Sequence, residues 1–151
     1  MATVRTEYLG KLRTENTHLQ SGTQMITDAP TDNQGRGEAF SPTDLTATSL
    51  GTCIITTMGI AAQREDIDLT GSELSVTKVM STQAPRRIAR IEVALRMRST
   101  PELDEAQRKK YENIAHTCPV ALSLHPDIEQ VITFEWKELQ RMLNAVRRAA
   151  E

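Results

Sequence analysis

The chain has 151 residues, enough for one domain with a core of its own, but aromatic residues make up only 3% of it, so aliphatic side chains must fill that core. Its 18 basic and 20 acidic residues are spread along the sequence and leave a net charge of -2, which excludes a long-range pull toward nucleic acid or a membrane surface. Two cysteines, neither in a CxxC pair, exclude a zinc framework and a disulfide-stapled scaffold.

The N-terminal stretch "MATVRTEYLG" is polar from its third residue and lacks the basic-then-apolar pattern of a secretory signal, so a cytoplasmic protein is expected. Residues 2–9 and 12–19 are rich in β-branched and alternating residues and flank Gly10-Lys11, which predicts a hairpin. "SGTQMITDAP" predicts a third short strand, and residues 28–42, dense in Pro, Gly, Asp and Asn, a surface loop.

A helix start follows in "SPTDL". Ser41 suits the N-cap, Pro42 the first helical position, and Asp44 three residues after the cap completes a capping box. This helix is expected to run to about Gln63. From Leu45 to Ala62 no residue is charged, which meets the crude length of a membrane span, but five threonines, Ser49 and two glycines make a buried core helix the better reading. Thr48, Thr52, Ile55 and Gly59 recur at helical spacing and form a slim side that another helix can approach.

"LTGSELSVTKVMS" and "RRIARIEVALRMR" predict strands, the second with Ile91, Val93, Leu95 and Met97 on one face and Arg90, Glu92, Ala94 and Arg96 on the other. "STPELDEAQRKKYENIAHTC" predicts a second helix with Leu103, Tyr111, Ile114 and Cys118 along one side, broken by Pro119. "EQVITFEW" supplies the last strand. Residues 137–151 place Leu139, Met142, Leu143 and Val146 at i, i+3, i+4 and i+7, an amphipathic helical extension of a single domain spanning 1–151.

Cys53 sits in "SLGTCIITTMG", in the least charged run of the chain, where a thiol is either an inert small hydrophobe or a nucleophile. Reactivity belongs to the thiolate, and apolar burial disfavours it. Cys53 lies well beyond the first turn of its helix, out of reach of the helix dipole, so a cation from another segment must stabilise the charge. Arginine suits that task because it stays charged when partly buried and presents a fork of donors.

The arrangement "SPTDLTATSLGTC", followed by a second cysteine in "HTCPV" 65 residues later (118 − 53) and by a closing strand, resembles the OsmC/Ohr family from the N-terminal hairpin through "VITFEW". The resemblance implies an α+β fold with antiparallel sheets wrapped around two long central helices, in an intertwined homodimer. It also implies a thiol-dependent peroxidase that uses neither metal nor cofactor. Organic hydroperoxides, and hydrogen peroxide less well, would be reduced by Cys53 through a sulfenic acid, with Cys118 as the resolving thiol. A dithiol such as a lipoylated protein would reset the resulting disulfide.

Peroxidase members of the family carry a Glu directly after the motif proline, paired with a hairpin Arg. Here that position is Thr43, and the nearest acid is Asp44. Asp44 and Cys53 are nine residues apart, which on one straight helix means opposite directions and about 14 Å along the axis. Asp44 is therefore read first as a helix cap and only second as an active-site acid. Arg13, beside the hairpin turn, is the favoured cation over Arg5, Lys11 and Arg36. Thr43 also motivates an alternative reading, an OsmC-like dimer that binds a small molecule or protein with little peroxidase activity.

His116, Cys118 and His125, with spacings of two and seven, lack a fourth ligand and the usual close pairs, so no metal site is expected. His18 and His125 read as surface or turn residues, and Tyr111 as core. "GRGE" has no P-loop lysine, so nucleotide binding is not expected either.

Overall fold

The computed structural model describes residues 1–137; the helix expected over 137–151 lies outside the described residues apart from Lys137. The chain forms two compact units, one covering Met1–Thr46 and the other beginning at Ala47.

In the first unit, strands β1 (Val4–Gly10), β2 (Arg13–His18) and β3 (Gln24–Asp28) form an antiparallel sheet in that order. The β1–β2 connection places both central turn residues, Lys11 and Leu12, at positive φ (51° and 64°). That is the handedness a two-residue hairpin needs to match the strand twist. A single 3-10 turn, Thr31–Asn33, interrupts the loop that follows β3.

Helix α1 spans Pro42–Gln63. At its start Asp44 Oδ2 accepts the Ser41 backbone N–H at 2.8 Å and the Ser41 hydroxyl at 2.6 Å, while Ser41 Oγ accepts the Asp44 N–H at 3.1 Å. The expected capping box is present, with Asp in the place usually held by Glu or Gln.

In the second unit the inner face of α1 buries Ala47, Leu50, Gly51, Ile54, Met58 and Ala62, at the i, i+3, i+4, i+7, i+11 and i+15 positions of one helix face. Strands β4 (Glu73–Met80), β5 (Ile88–Met97) and β6 (Glu129–Trp136) form the second sheet in that order. Its central strand buries Ile91, Val93, Leu95 and Met97, the alternation read from the sequence. Gly51 lets α1 approach this sheet closely: a Cβ there would lie 2.8 Å from Val76 Cγ2 and 2.9 Å from Leu74 Cδ1.

Three expectations are corrected. The second sheet is mixed, since β6 runs parallel to β5; a parallel neighbour needs a long crossover, and residues 98–128 with two helices provide it. The second helix, α2, covers only Glu105–Ala115, 11 residues against 22 in α1. It starts late because Asp104 forms its own capping box with Gln107, and Cys118 falls beyond its end, as N-cap of a separate five-residue helix α3 (Pro119–Ser123). Finally, α1 is not covered all round within this chain, for Thr52, Thr56 and Ile60 are exposed. By length and composition α1 could cross a membrane (mean hydropathy 1.4), yet its buried face packs into the core beside the sheet.

Candidate functional site

Cys53 lies in the middle of α1, half-buried, next to the exposed Thr52, whose hydroxyl is tied back to the Thr48 carbonyl at 3.1 Å. Cys118 is fully buried. Its backbone is extended (φ −67°, ψ 144°) because the ring of Pro119 disfavours helical geometry in the residue before it. That conformation turns the side chain back over the first turn of α3, where Sγ accepts the Ala121 N–H at 3.3 Å. Cysteine thus occupies the position normally given to Ser or Asp, capping through a weak sulfur acceptor.

The two thiols, separated in sequence by β4, β5 and α2, both belong to the same packed cluster, Cys118 inside it and Cys53 against it, close enough to act on each other electrostatically, and both are free. Burial pushes the Cys118 thiol up, against the opposing pull of the Ala121 N–H; the contact with Cys53 and its charge push it further up. The Cys118 thiol is therefore held toward its neutral form.

Arg13 opens β2, its side chain 27% exposed, and its Nη1 pairs with Glu38 Oε2 at 2.8 Å. Its strand partner is the buried Asp28, whose Oδ2 accepts the Glu38 backbone N–H at 3.1 Å and so fixes the loop that presents Glu38. The other candidate cations, Arg5, Lys11 and Arg36, are exposed. Asp44 is engaged at the helix start, and Thr43 Oγ1 lies 3.1 Å from Ser41 Oγ.

Among the described residues no group of three His, Cys, Asp or Glu side chains is arranged to hold a metal. His116 ends α2 and is exposed, His125 Nδ1 accepts the Asp127 N–H at 3.2 Å, and His18 Nδ1 lies 2.7 Å from Ser21 Oγ.

Two polar residues near these groups were not singled out in the sequence. Glu38 sits in "GRGEAF", where its nearness to Arg13 depends on a loop fold that no periodicity encodes. Gln130 did leave a signal: in "EQVITFEW" it shares the inward phase with Ile132, Phe134 and Trp136, and a polar residue in that phase must find a partner. Its Nε2 donates to the Ala121 carbonyl at 2.9 Å.

Residues 35–132 match the family model described as OsmC-like protein. A solved structure from Psychrobacter arcticus, provisionally named an osmotic stress induced and detoxification response protein, is 50% identical and superposes with a TM-score of 0.83 over 89% of this chain and 96% of that one. The fold is shared at 15% identity with an organic hydroperoxide resistance protein OsmC from Legionella pneumophila (TM-score 0.66; 89% and 98% of the two chains). It is shared at 16% with the organic hydroperoxide resistance protein OhrB of Bacillus subtilis (TM-score 0.64; 89% and 98%). No curated protein sequence matches.

Proposed function

This chain belongs to the OsmC-like family, and from that premise we propose that it is a thiol-dependent peroxidase that reduces organic hydroperoxides, and hydrogen peroxide less well, with Cys53 as the attacking thiol. The observation that carries the reading is the proximity of Cys53 and Cys118 in one packed cluster, two free thiols of which one is half-buried and the other fully enclosed.

The Cys53 thiolate attacks one oxygen of the O–O bond. That bond breaks, the alkoxide takes a proton and leaves as alcohol, and sulfur keeps the other oxygen as sulfenic acid. Cys118 then attacks the Cys53 sulfur, the S–O bond breaks, and the departing hydroxyl takes the Cys118 proton to become water. A dithiol, for which a lipoylated protein is the natural candidate, exchanges with the disulfide and restores both thiols. The assignment of Cys53 rather than Cys118 to the first step is supported by access and by the upward push on the Cys118 thiol.

Arg13 is proposed as the cation that favours the Cys53 thiolate, held by Glu38. Asp44 has no chemical part in this reading, since its carboxylate serves the helix start. The protein is proposed to work in the cytoplasm as an intertwined homodimer, its long helices central. The exposed residues Thr52, Thr56 and Ile60 on an otherwise apolar helix support that assembly, as do Val4, Tyr8, Leu9 and Phe40 exposed in the first unit. No cofactor is required by these steps.

Thr43, after the motif proline where peroxidase relatives are expected to carry Glu, favours the second reading of a binding module. The two readings separate in one assay: consumption of tert-butyl hydroperoxide with dihydrolipoamide or dithiothreitol. A peroxidase gives turnover in the wild type, none in Cys53→Ser, and loss of disulfide-dependent turnover in Cys118→Ser. A binding module gives no turnover with either dithiol.

A further inference from the structure

Helix α3 has five residues, far too few to persist on propensity alone, yet it carries the Cys118 thiol at its N-cap. Its hydrogen bonds explain how it persists. Cys118 O accepts the Leu122 N–H and Val120 O accepts the Leu124 N–H. The chain then leaves helical geometry at Leu124 (φ −70°, ψ 150°), so the Ala121 carbonyl is left without the intrahelical donor it would have in a longer helix. Gln130 supplies one, Nε2 to Ala121 O at 2.9 Å. Ala121 is thus gripped at both ends, by Gln130 through its carbonyl and by Cys118 Sγ through its N–H.

Gln130 has a firm base for this grip. It stands in β6, opposite Ile91 of the central strand, on the phase that faces the core. A rigid sheet position therefore connects through one side-chain amide to the turn that aims the Cys118 sulfur. We infer that Gln130 is a positioning residue for the resolving step: by clamping Ala121 to the sheet it keeps the Cys118 sulfur facing Cys53, so that the sulfenic acid is captured as a disulfide before a second peroxide reaches it. The inference rests on the peroxidase reading above, and it concerns only the second of the two chemical steps.

Losing the clamp frees α3 to fray, and the effective concentration of the Cys118 thiol at the Cys53 sulfur falls. The loss of one hydrogen bond to a part-buried carbonyl corresponds to a slowing of disulfide formation on the order of tenfold. The first step, peroxide attack by Cys53, does not involve α3 and keeps its rate.

The test compares the wild type with Gln130→Leu and Gln130→Glu after a stoichiometric addition of tert-butyl hydroperoxide. Disulfide formation and dimedone-trapped Cys53 sulfenic acid are followed by rapid quench and mass spectrometry. The rate of Cys53 oxidation is measured separately in a Cys118→Ser background, with and without Gln130→Leu. Gln130→Glu preserves size but, ionised at neutral pH, offers only acceptors to a carbonyl.

The expected result is slower disulfide formation and more trapped and over-oxidised Cys53 in both variants, with unchanged Cys53 oxidation in the Cys118→Ser background. If Gln130→Glu resolves as fast as wild type, the donated hydrogen bond is not the reason and the inference is overturned. Equal slowing of both steps also overturns it, since that is general structural damage. Unchanged disulfide formation in both variants overturns it while leaving the peroxidase reading intact. A wild type that forms no disulfide overturns both.

Discussion

Tyr111 donates its phenolic O–H to Glu65 Oε2 at 3.1 Å, while Lys110 pairs with the other carboxylate oxygen. Tyr111 is the largest fully buried side chain of the second unit and belongs to α2; Glu65 lies two residues beyond the end of α1. The contact ties the helix that carries Cys53 to the helix that leads into Cys118.

That tie gives stability a pH signature. The Lys110 and Tyr111 hydrogen bonds hold the Glu65 carboxyl below its ordinary 4.5, so its contribution is present above that pH and lost as the pH falls through the lowered value. Burial, with Glu65 beside it, pushes Tyr111 up from 10.0 to about 12, so its contribution is full below pH 10 and lost as the pH rises toward 12. Thermal melts of wild type and Glu65→Gln are expected to differ most near neutrality and to converge in acid. A difference that persists undiminished below the carboxylate range would contradict the assignment.

Thiol accessibility follows from the same geometry. Iodoacetamide at neutral pH is expected to modify Cys53 before Cys118, and Cys118 labelling is expected to accelerate only as the pH passes above the ordinary thiol range of about 8.5. Peptide mapping over a time course separates the two sites. Cys118 modified first would reverse the roles assigned to the pair.

Gly51 sets the distance between α1 and the sheet. Replacing it with Ala gains up to about 1 kcal/mol of helix propensity, which offsets part of the crowding against Val76 and Leu74. Gly51→Val adds two methyl groups to that contact and a β-branched side chain to the helix, and is expected to cost about 2–3 kcal/mol. Urea unfolding of both variants checks the order; equal stability would mean that the approach is not tight.

Ser41 and Asp44 are expected to behave as a cap. Ser41→Ala and Asp44→Ala each lower stability by about 1 kcal/mol and leave the rate of Cys53 oxidation unchanged. A selective loss of Cys53 reactivity in Asp44→Ala, at full stability, would return Asp44 to the chemistry.

Arg13 carries the opposite expectation. Arg13→Met is expected to slow Cys53 oxidation on the order of a hundredfold, as loss of a preorganised charge does elsewhere, with a smaller effect for Glu38→Gln, which loosens the guanidinium without removing it. Stopped-flow peroxide consumption under single-turnover conditions measures both. An Arg13→Met protein that reacts at the wild-type rate would pass the role to another cation.

Much of the fold was legible in local chemistry. The Ser41-Pro42-Asp44 start, the alternation of Ile91, Val93, Leu95 and Met97, and the hairpin around Lys11 each express a rule that acts within a few residues. The direction of β6 was not, because nothing in "EQVITFEW" encodes which way the crossover returns it. The start of α2 was misplaced because "STPELD" offers several capping residues, and only Asp104 finds its reciprocal partner in Gln107. At the site, both cysteines were legible as residues. Their meeting is a product of the tertiary fold, and the Glu38 and Gln130 contacts depend on a loop and a crossover that no spacing fixes.

The most direct measurement of the central claim is the intact mass and peptide map of the protein after a stoichiometric dose of tert-butyl hydroperoxide without reductant. The expected result is a single intrachain Cys53–Cys118 disulfide, absent from Cys53→Ser and Cys118→Ser and reversed by dihydrolipoamide. Two cysteines that remain reduced while the peroxide persists would contradict it.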